Sequence, residues 1–463
     1  MSGEGTREAI ETINPATGKS LDRYEYMNNQ EVDAAILKCH KAFEKWREVS
    51  PEDRAEFIIA IGKALTNNKK ELAQLMTNEM GKTLEQSLQE VELCVAICQY
   101  TAEIGPKELK TEDRDMVNGK KGRVVYAPIG VIYGIQPWNY PSYQVVRYSI
   151  ASLMAGNAVL LKHASNVTGS GKLLERIYRE AELPDGLFTT LVINHDQSNE
   201  VIKNKLVRGV TLTGSPDAGK DIGQKAAAEL KKTVLELGAN DAYLVFEDAD
   251  IDKAVEECVK GRIYNNGETC IAAKRFIVTE KVYEEFREKF VKTMSEVKMG
   301  DPNDENTQLG PIAREDLRDD LHQQVLKSVE NGARIACGGE IPEGKGFFYP
   351  ATVLENVQPG QPAYEDELFG PVASLIKARD NEDAMRIAND SRFGLGGGIF
   401  SKDEDAAFLM AEKYFDTGMV FINSFGLADP AIPFGGVKNS GYGREHGGFG
   451  LKEFVNIKGI MKR

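Results

Sequence analysis

The chain has 463 residues, 41% of them hydrophobic and 28% charged, a composition that suits a folded protein and excludes disorder as its main state. That length exceeds one simple core and predicts two large domains, with or without a small appendage. A formal net charge of −14 without a basic block argues against nucleic-acid binding, which depends on Lys and Arg neutralising phosphates, and points to a small-molecule partner.

The opening stretch, MSGEGTREAIETINPATGK, has no basic segment followed by an apolar one, and no run approaches the ~18–20 apolar residues of a membrane span. The expectation is a cytoplasmic protein with no membrane contact. Over 31–80, EVDAAILKCHKAFEKW and RAEFIIAIGKALTNNKKELAQLM place apolar residues three and four apart with charges between, so helices come first. Cys94 and Cys98 share a helix face, but no histidine lies near them. They are read as packing residues, and no metal is expected. Six scattered cysteines form no paired framework, which implies reduced thiols.

From about 123 the pattern changes. Short β-branched runs, GRVVYAPIGVIYGI, NAVLLK, TTLVIN, GVTLTG and TVLELG, alternate with helix-length segments such as SGKLLERIYREAE, predicting βαβ units and a mostly parallel sheet. The alternation restarts after 240 with DKAVEECVKGRIYNN, RFIVTE, VYEEFREKFVKTM, YPATVL, PVASLIKA and MVFINS, a second α/β domain. The polar stretch 110–122 and the strand-like C-terminus, FVNIKGIMK, have no obvious internal partner and are expected to pair with another subunit.

In GVTLTGSPDAGKDIG a glycine turn joins a strand to a helix and aims backbone N–H groups at an anion. Gly214 to Lys220 also fits G-x-x-x-x-G-K, but Asp221 stands where a P-loop needs Ser or Thr to hold magnesium. G-x-G-x-x-G is absent after the early strands, so a nucleotide must be held in another way.

Residues 265–275 read NNGETCIAAKR, a thiol with a carboxylate two positions before it. Together with IQPWNYP (135–141), AGNAVLLKHAS (155–165), TLTGS (211–215), LELGA (235–239), ELFGPV (367–372) and PFGGVKNSGYGRE (433–445), this order of motifs resembles the NAD(P)-dependent aldehyde dehydrogenase superfamily. Within it the chain looks most like the succinate-semialdehyde dehydrogenases. The resemblance runs from NPATG to the C-terminus.

It implies an α/β fold with a Rossmann-type cofactor domain (1–107 and 129–238), an α/β catalytic domain (239–439) and a small oligomerisation arm (108–128 and 440–463) that makes a homodimer or homotetramer. It implies oxidation of an aldehyde, above all succinate semialdehyde, to the acid through a thiohemiacetal and a thioester. Cys270 is the implied nucleophile, Glu236, 34 positions upstream, the general base, and Asn139 the oxyanion donor. The chemistry agrees with that division of roles: a carboxylate held permanently against the thiol would deplete the thiolate, so Glu268 makes a poor base.

Cofactor contacts carry over onto Ile135, Gln136, Pro137, Trp138, Lys162, Ser165, Gly214, Ser215, Leu237, Glu367 and Phe369, and substrate contacts onto Arg147, Tyr143, Glu268 and Phe434. Members that prefer NAD commonly place Glu where this chain has Ser165. Without that repulsion, and with Lys162 as counter-charge, the expected cofactor is NADP, with NAD as the alternative. Arg147 matches a residue that grips the distal carboxylate of the substrate.

Other departures are Glu268 for Gln, Ala239 for the second Gly of L-E-L-G-G, Tyr148 for a proton-relaying Lys, and Asp429 near the substrate entrance. The competing readings are a dehydrogenase for another short aldehyde, a catalytically silent relative and the P-loop enzyme.

Overall fold

The computed structural model describes residues 8–117 and 119–462. Part of the stretch read for a leader therefore lies outside the described residues. The chain opens on a hairpin rather than a helix: β1 (Ala9–Asn14) and β2 (Lys19–Glu25) pair antiparallel around NPATG. The turn forms because the Asn14 side chain accepts the Ala16 N–H (2.9 Å) and Gly18 supplies φ +68°. Helices α1 (Asn29–Trp46), α2 (Pro51–Asn67), α3 (Lys69–Met80) and α4 (Leu84–Glu108) follow. Their starts are written in the sequence: Asn28 with Glu31 makes a capping box, and Ser50 and Thr83 cap α2 and α4. Cys94 and Cys98 are buried inside α4.

Strands β3 (Glu112–Asp115) and β4 (Lys121–Pro128) form a hairpin, and the C-terminal strand Val455–Met461 pairs antiparallel along β4. The two segments expected to lack an internal partner both find one in β4, on its opposite edges. The C-terminal pairing was hidden because it joins residues over three hundred positions apart.

Next come β5 (Val131–Gln136), α5 (Tyr143–Met154), β6 (Ala158–His163), α6 (Thr168–Glu180), β7 (Phe188–Thr190), α7 (His195–Lys203), β8 (Val207–Thr213), α8 (Pro216–Ala228) and β9 (Lys232–Glu236). They build a parallel sheet of order β9-β8-β5-β6-β7. Strand order reverses between β5 and β8, and the carboxyl ends of strands flanking such a switch point open a crevice for a ligand. Those ends are Gln136 and Thr213.

A second sheet begins with β10 (Ala242–Val245). After α9 (Ile251–Ile263) it continues with β11 (Arg275–Thr279), α10 (Glu280–Ser295), α11 (Glu315–Glu330), β12 (Arg334–Cys337), β13 (Thr352–Glu355) and β14 (Val372–Ala378). Its order is β12-β13-β14-β11-β10, then Gly397–Phe400 and Phe421–Ile422, with only the β12 pairing antiparallel. Both faces are buried by helices, which is why β10, β11 and β14 are mostly apolar and almost wholly buried rather than alternating. No helix among the described residues is long and apolar enough to cross a membrane.

Candidate active site

Cys270 lies on the loop between α9 and β11, and the sequence of that loop dictates its shape. Asn265 (φ 54°), Asn266 (φ 58°) and Gly267 (φ 74°) are three successive residues in the left-handed region, which Asn and Gly tolerate best. Their side chains then fix the turn. Asn265 Nδ2 donates to the carbonyls of Asn139 (3.0 Å) and Glu268 (3.1 Å), and Asn266 donates to Pro311 O (2.9 Å) and accepts from Gly310 N (2.8 Å). A β-carbon on Gly267 would sit 2.4 Å from the backbone of Gly370, so no other residue fits there.

Asn139 reaches the same loop from the carboxyl end of β5. One hydrogen of its side-chain amide is held by Glu268 O (3.0 Å), leaving the second available beside Cys270, and Tyr140 Oη bonds Thr269 Oγ1 (2.9 Å). The two sheets are therefore stitched together at this turn. His163 holds its other side. The 2.8 Å contact from Nε2 to Pro141 O requires the proton on that nitrogen, while Nδ1 accepts from Ala164 N (3.0 Å).

Burial pushes the His163 imidazole down to about 4, below its unfolded value near ~6.5. Its contribution to stability is present above ~pH 6.5 and is lost as pH falls toward the folded value, at about 1.4 kcal/mol per pH unit for this buried group. Urea denaturation at stepped pH should show this loss between pH ~6.5 and ~4, and His163→Gln should reduce the slope. Equal slopes in the two proteins would contradict a buried neutral imidazole.

Lys274 ties the nucleophile loop from below. It was missed although it stands only four residues after Cys270, one of two adjacent cations in the otherwise apolar run IAAKRFIV. Its buried ammonium donates to Thr269 O (3.0 Å) and Cys270 O (2.5 Å) and pairs with Glu367 (3.2 Å). Burial pushes the Cys270 thiol up to about 12, against the pull of Lys274 and Arg147. At rest Cys270 is a thiol.

A cavity of about 250 Å³ opens at the switch point. Pro137, Trp138, Asn139, Gly214, Ser215, Leu237, Cys270, Glu367 and Phe369 line it, together with the unpredicted Gln144, Thr213, Gly238 and Leu317. Trp138 and Phe369 meet edge-to-face at 5.7 Å. Ser215 caps α8, accepting Ala218 N (3.2 Å). A β-carbon at Gly238 would lie 2.6 Å from Glu367 Oε2. Backbone-lined walls, a helix N-terminus and two aromatic faces fit part of a dinucleotide.

Ile135 and Gln136 end β5. Lys162 and Ser165 lie at the end of β6, one strand further out and away from this cavity. A larger open groove of about 710 Å³ between α9 and α10 holds none of the predicted residues.

Glu236 ends β9, opposite Thr213 and Gly441. Its carboxyl is buried beside Gly435, and neither oxygen has a hydrogen-bond partner among the described residues. Burial, then the neighbouring Glu445, raises its pKa well above the carboxylate range.

Arg147 is also buried and already engaged. Its Nε pairs with Glu445, Nη2 donates to Thr213 Oγ1 (3.0 Å), and the guanidinium lies over the rings of Tyr143 (5.1 Å) and Phe434 (4.7 Å). Tyr143 Oη meets His446 Nε2 at 3.0 Å, completing a buried cluster in which Glu445 and His446 are additions to the expected set.

Three expectations are corrected. Glu268, expected to touch substrate, is fully buried, and Oε1 accepts Ala313 N (3.0 Å). Burial raises its pKa well above the usual range, and the side chain holds the loop where a Gln is usual. Ala239 does not narrow the cavity: its methyl is buried with Ile271, Leu395 and Phe434, and Gly238 forms the wall. Asp429 caps its own exposed turn, accepting Ala431 N (2.8 Å).

Tyr148 donates to Leu160 O (3.1 Å) and packs on Gly134, where a β-carbon would lie 2.2 Å from its ring. It fills the space between α5 and the sheet instead of relaying a proton. The P-loop reading ends here too, because Lys220 and Asp221 pair with Asp217 and Lys225 on the exposed face of α8.

A half-buried thiol and an asparagine amide line one crevice at the switch point of a parallel sheet, an arrangement that suits an oxidoreductase. The aldehyde dehydrogenase family model matches residues 2–460, and the chain belongs to that family. It is 44% identical over 451 residues to a succinate semialdehyde dehydrogenase [NAD(P)+] of Escherichia coli, covering 97% of each chain. It is 40% identical to a succinate-semialdehyde dehydrogenase [NADP(+)] of Deinococcus radiodurans, covering 96% of this chain and 93% of that one. The crystal structure of the Streptococcus pyogenes succinic semialdehyde dehydrogenase in complex with NADP+ superposes with a TM-score of 0.96 at 36% identity, over 98% of this chain and 100% of the other.

Proposed function

We propose that this aldehyde dehydrogenase oxidises succinate semialdehyde with NADP+, and with NAD+ less well. The observation that carries the reading is the Cys270 loop bonded to the Asn139 turn at the mouth of the switch-point cavity. The Cys270 thiol gives up its proton to solvent, and the thiolate sulfur adds to the aldehyde carbon. Asn139 Nδ2 and the Cys270 N–H stabilise the resulting alkoxide, a contribution worth about 3–4 kcal/mol per donor in comparable sites. A nicotinamide bound in the cavity supplies the acceptor for the hydride that leaves this carbon. Glu236, once ionised, takes a proton from the water that cleaves the thioester. Its lack of fixed partners leaves it free to swing toward the sulfur.

Ser165, exposed and uncharged, and the half-buried Lys162 support NADP. The arm of 108–128 and 440–463 exposes Ile457, Ile460 and Met461 on its last strand, which supports assembly into a homodimer or homotetramer. The six free cysteines fit a reducing cytoplasm. Formation of reduced cofactor should be fastest with succinate semialdehyde and NADP+. The absence of turnover with any aldehyde would leave a silent relative.

For the distal carboxylate we propose Arg147, shared with Glu445. Arg147→Ala alone would strand a buried glutamate, so the test uses Arg147→Met combined with Glu445→Gln. KM for succinate semialdehyde should rise about tenfold or more relative to butanal, the loss of a charged hydrogen bond. Equal changes for both aldehydes would remove the clamp.

A further inference from the structure

The Asn139 turn leans on a buried ion pair that comes from a distant part of the chain. Lys82, in the loop between α3 and α4, and Glu90, on α4, have side chains 0% and 1% exposed and are in direct contact. One oxygen of Glu90 takes Lys82. The other accepts two backbone N–H groups, Ser142 (2.7 Å) and Tyr143 (2.8 Å), at the start of α5. Ser142 makes no side-chain cap of its own, so Glu90 supplies the missing acceptor for that helix start. The Lys82 ammonium lies 4.1 Å from the centre of the Tyr140 ring, and Tyr140 reaches across to Thr269 beside the nucleophile. Residues 140, 142 and 143 immediately follow Asn139, so this pair fixes where the turn ends and the helix begins.

We propose that Lys82 and Glu90 are positioning residues for the oxyanion hole, with the Glu90 acceptor holding the Asn139 amide in register with Cys270. Neither residue touches the reacting atoms. A buried ion pair is a costly way to fill space, and a neutral apolar pair of similar volume often does as well for stability. Its use here is geometric, since a displacement of about 1 Å at a reacting centre can cost on the order of 10²-fold in rate.

The proposal rests on Asn139 being the oxyanion donor, and the test keeps the two claims apart. Two neutral double variants are compared in the full-length enzyme. Lys82→Met with Glu90→Gln retains an acceptor for the α5 N–H groups, whereas Lys82→Met with Glu90→Leu removes it. Both leave no buried charge, so both should fold. The Gln variant should keep kcat within about threefold of wild type, and the Leu variant should lose about 10- to 100-fold. The cofactor KM and the rate of Cys270 alkylation by iodoacetamide, a displacement that forms no oxyanion, should be unchanged in both. Equal kcat in the two variants, or alkylation falling in step with kcat, would overturn the positioning role. Asn139→Ala is measured alongside, and wild-type kcat there would sink the oxyanion reading itself.

Discussion

Cys270→Ser should lower kcat by on the order of 10⁴-fold or more, the scale seen when a covalent nucleophile is removed, with melting temperature and cofactor binding close to wild type. The side chains are nearly isosteric, and Cys270 is held by its backbone carbonyl, bonded to Lys274, rather than by its sulfur. A hydroxyl in that apolar setting, packed near Ile271 and Phe434, lacks an adjacent base in contact to activate it. The thiol faces the same burial, which sets a second expectation. Because burial pushes it up to about 12, its alkylation in the enzyme without ligands should accelerate about tenfold per pH unit across the alkaline range. A plateau near neutrality would mean that the thiolate is already formed at rest.

Glu236→Gln should leave thioester formation largely intact while slowing its hydrolysis about 10³-fold, the usual worth of a positioned general base. The reason lies in the fold. Glu236 ends β9, next to Leu237 and Gly238 of the cavity wall, with its carboxyl beside Gly435. The proposed role places its action after the first half-reaction. Rapid mixing should show a burst of reduced cofactor equal to the enzyme concentration, followed by a slow steady state. A loss of the burst itself would place Glu236 in the first step instead. Because burial, then Glu445, raises the Glu236 pKa well above the carboxylate range, the wild-type steady-state rate should rise with pH as the carboxyl ionises, and the Gln variant should lose that dependence.

What the sequence made legible was local chemistry. Asn-Asn-Gly before a thiol announces a left-handed turn, and strands alternating with capped helices announce parallel sheets, because both are written within a few residues of one another. The partnerships that fix the site are of another kind. Glu90 caps a helix more than fifty residues away, Glu445 neutralises Arg147 across the molecule, and the C-terminal strand finds β4. None leaves a periodic trace. Glu268 shows the same limit in reverse: a carboxylate in a motif reads as a charge, and only its complete burial against Ala313 N reveals a side chain that holds the loop. Tyr148 likewise reads as a gap in a relay until its packing on Gly134 is seen.

Every step attributed to this chain passes through a bond between one sulfur and one carbonyl carbon. The direct test is to mix Glu236→Gln with succinate semialdehyde and NADP+, quench in acid and weigh the protein. The account predicts a single added succinyl group, mapped by peptide digestion to Cys270. Full turnover with no adduct, or an adduct carried by another residue, would contradict it.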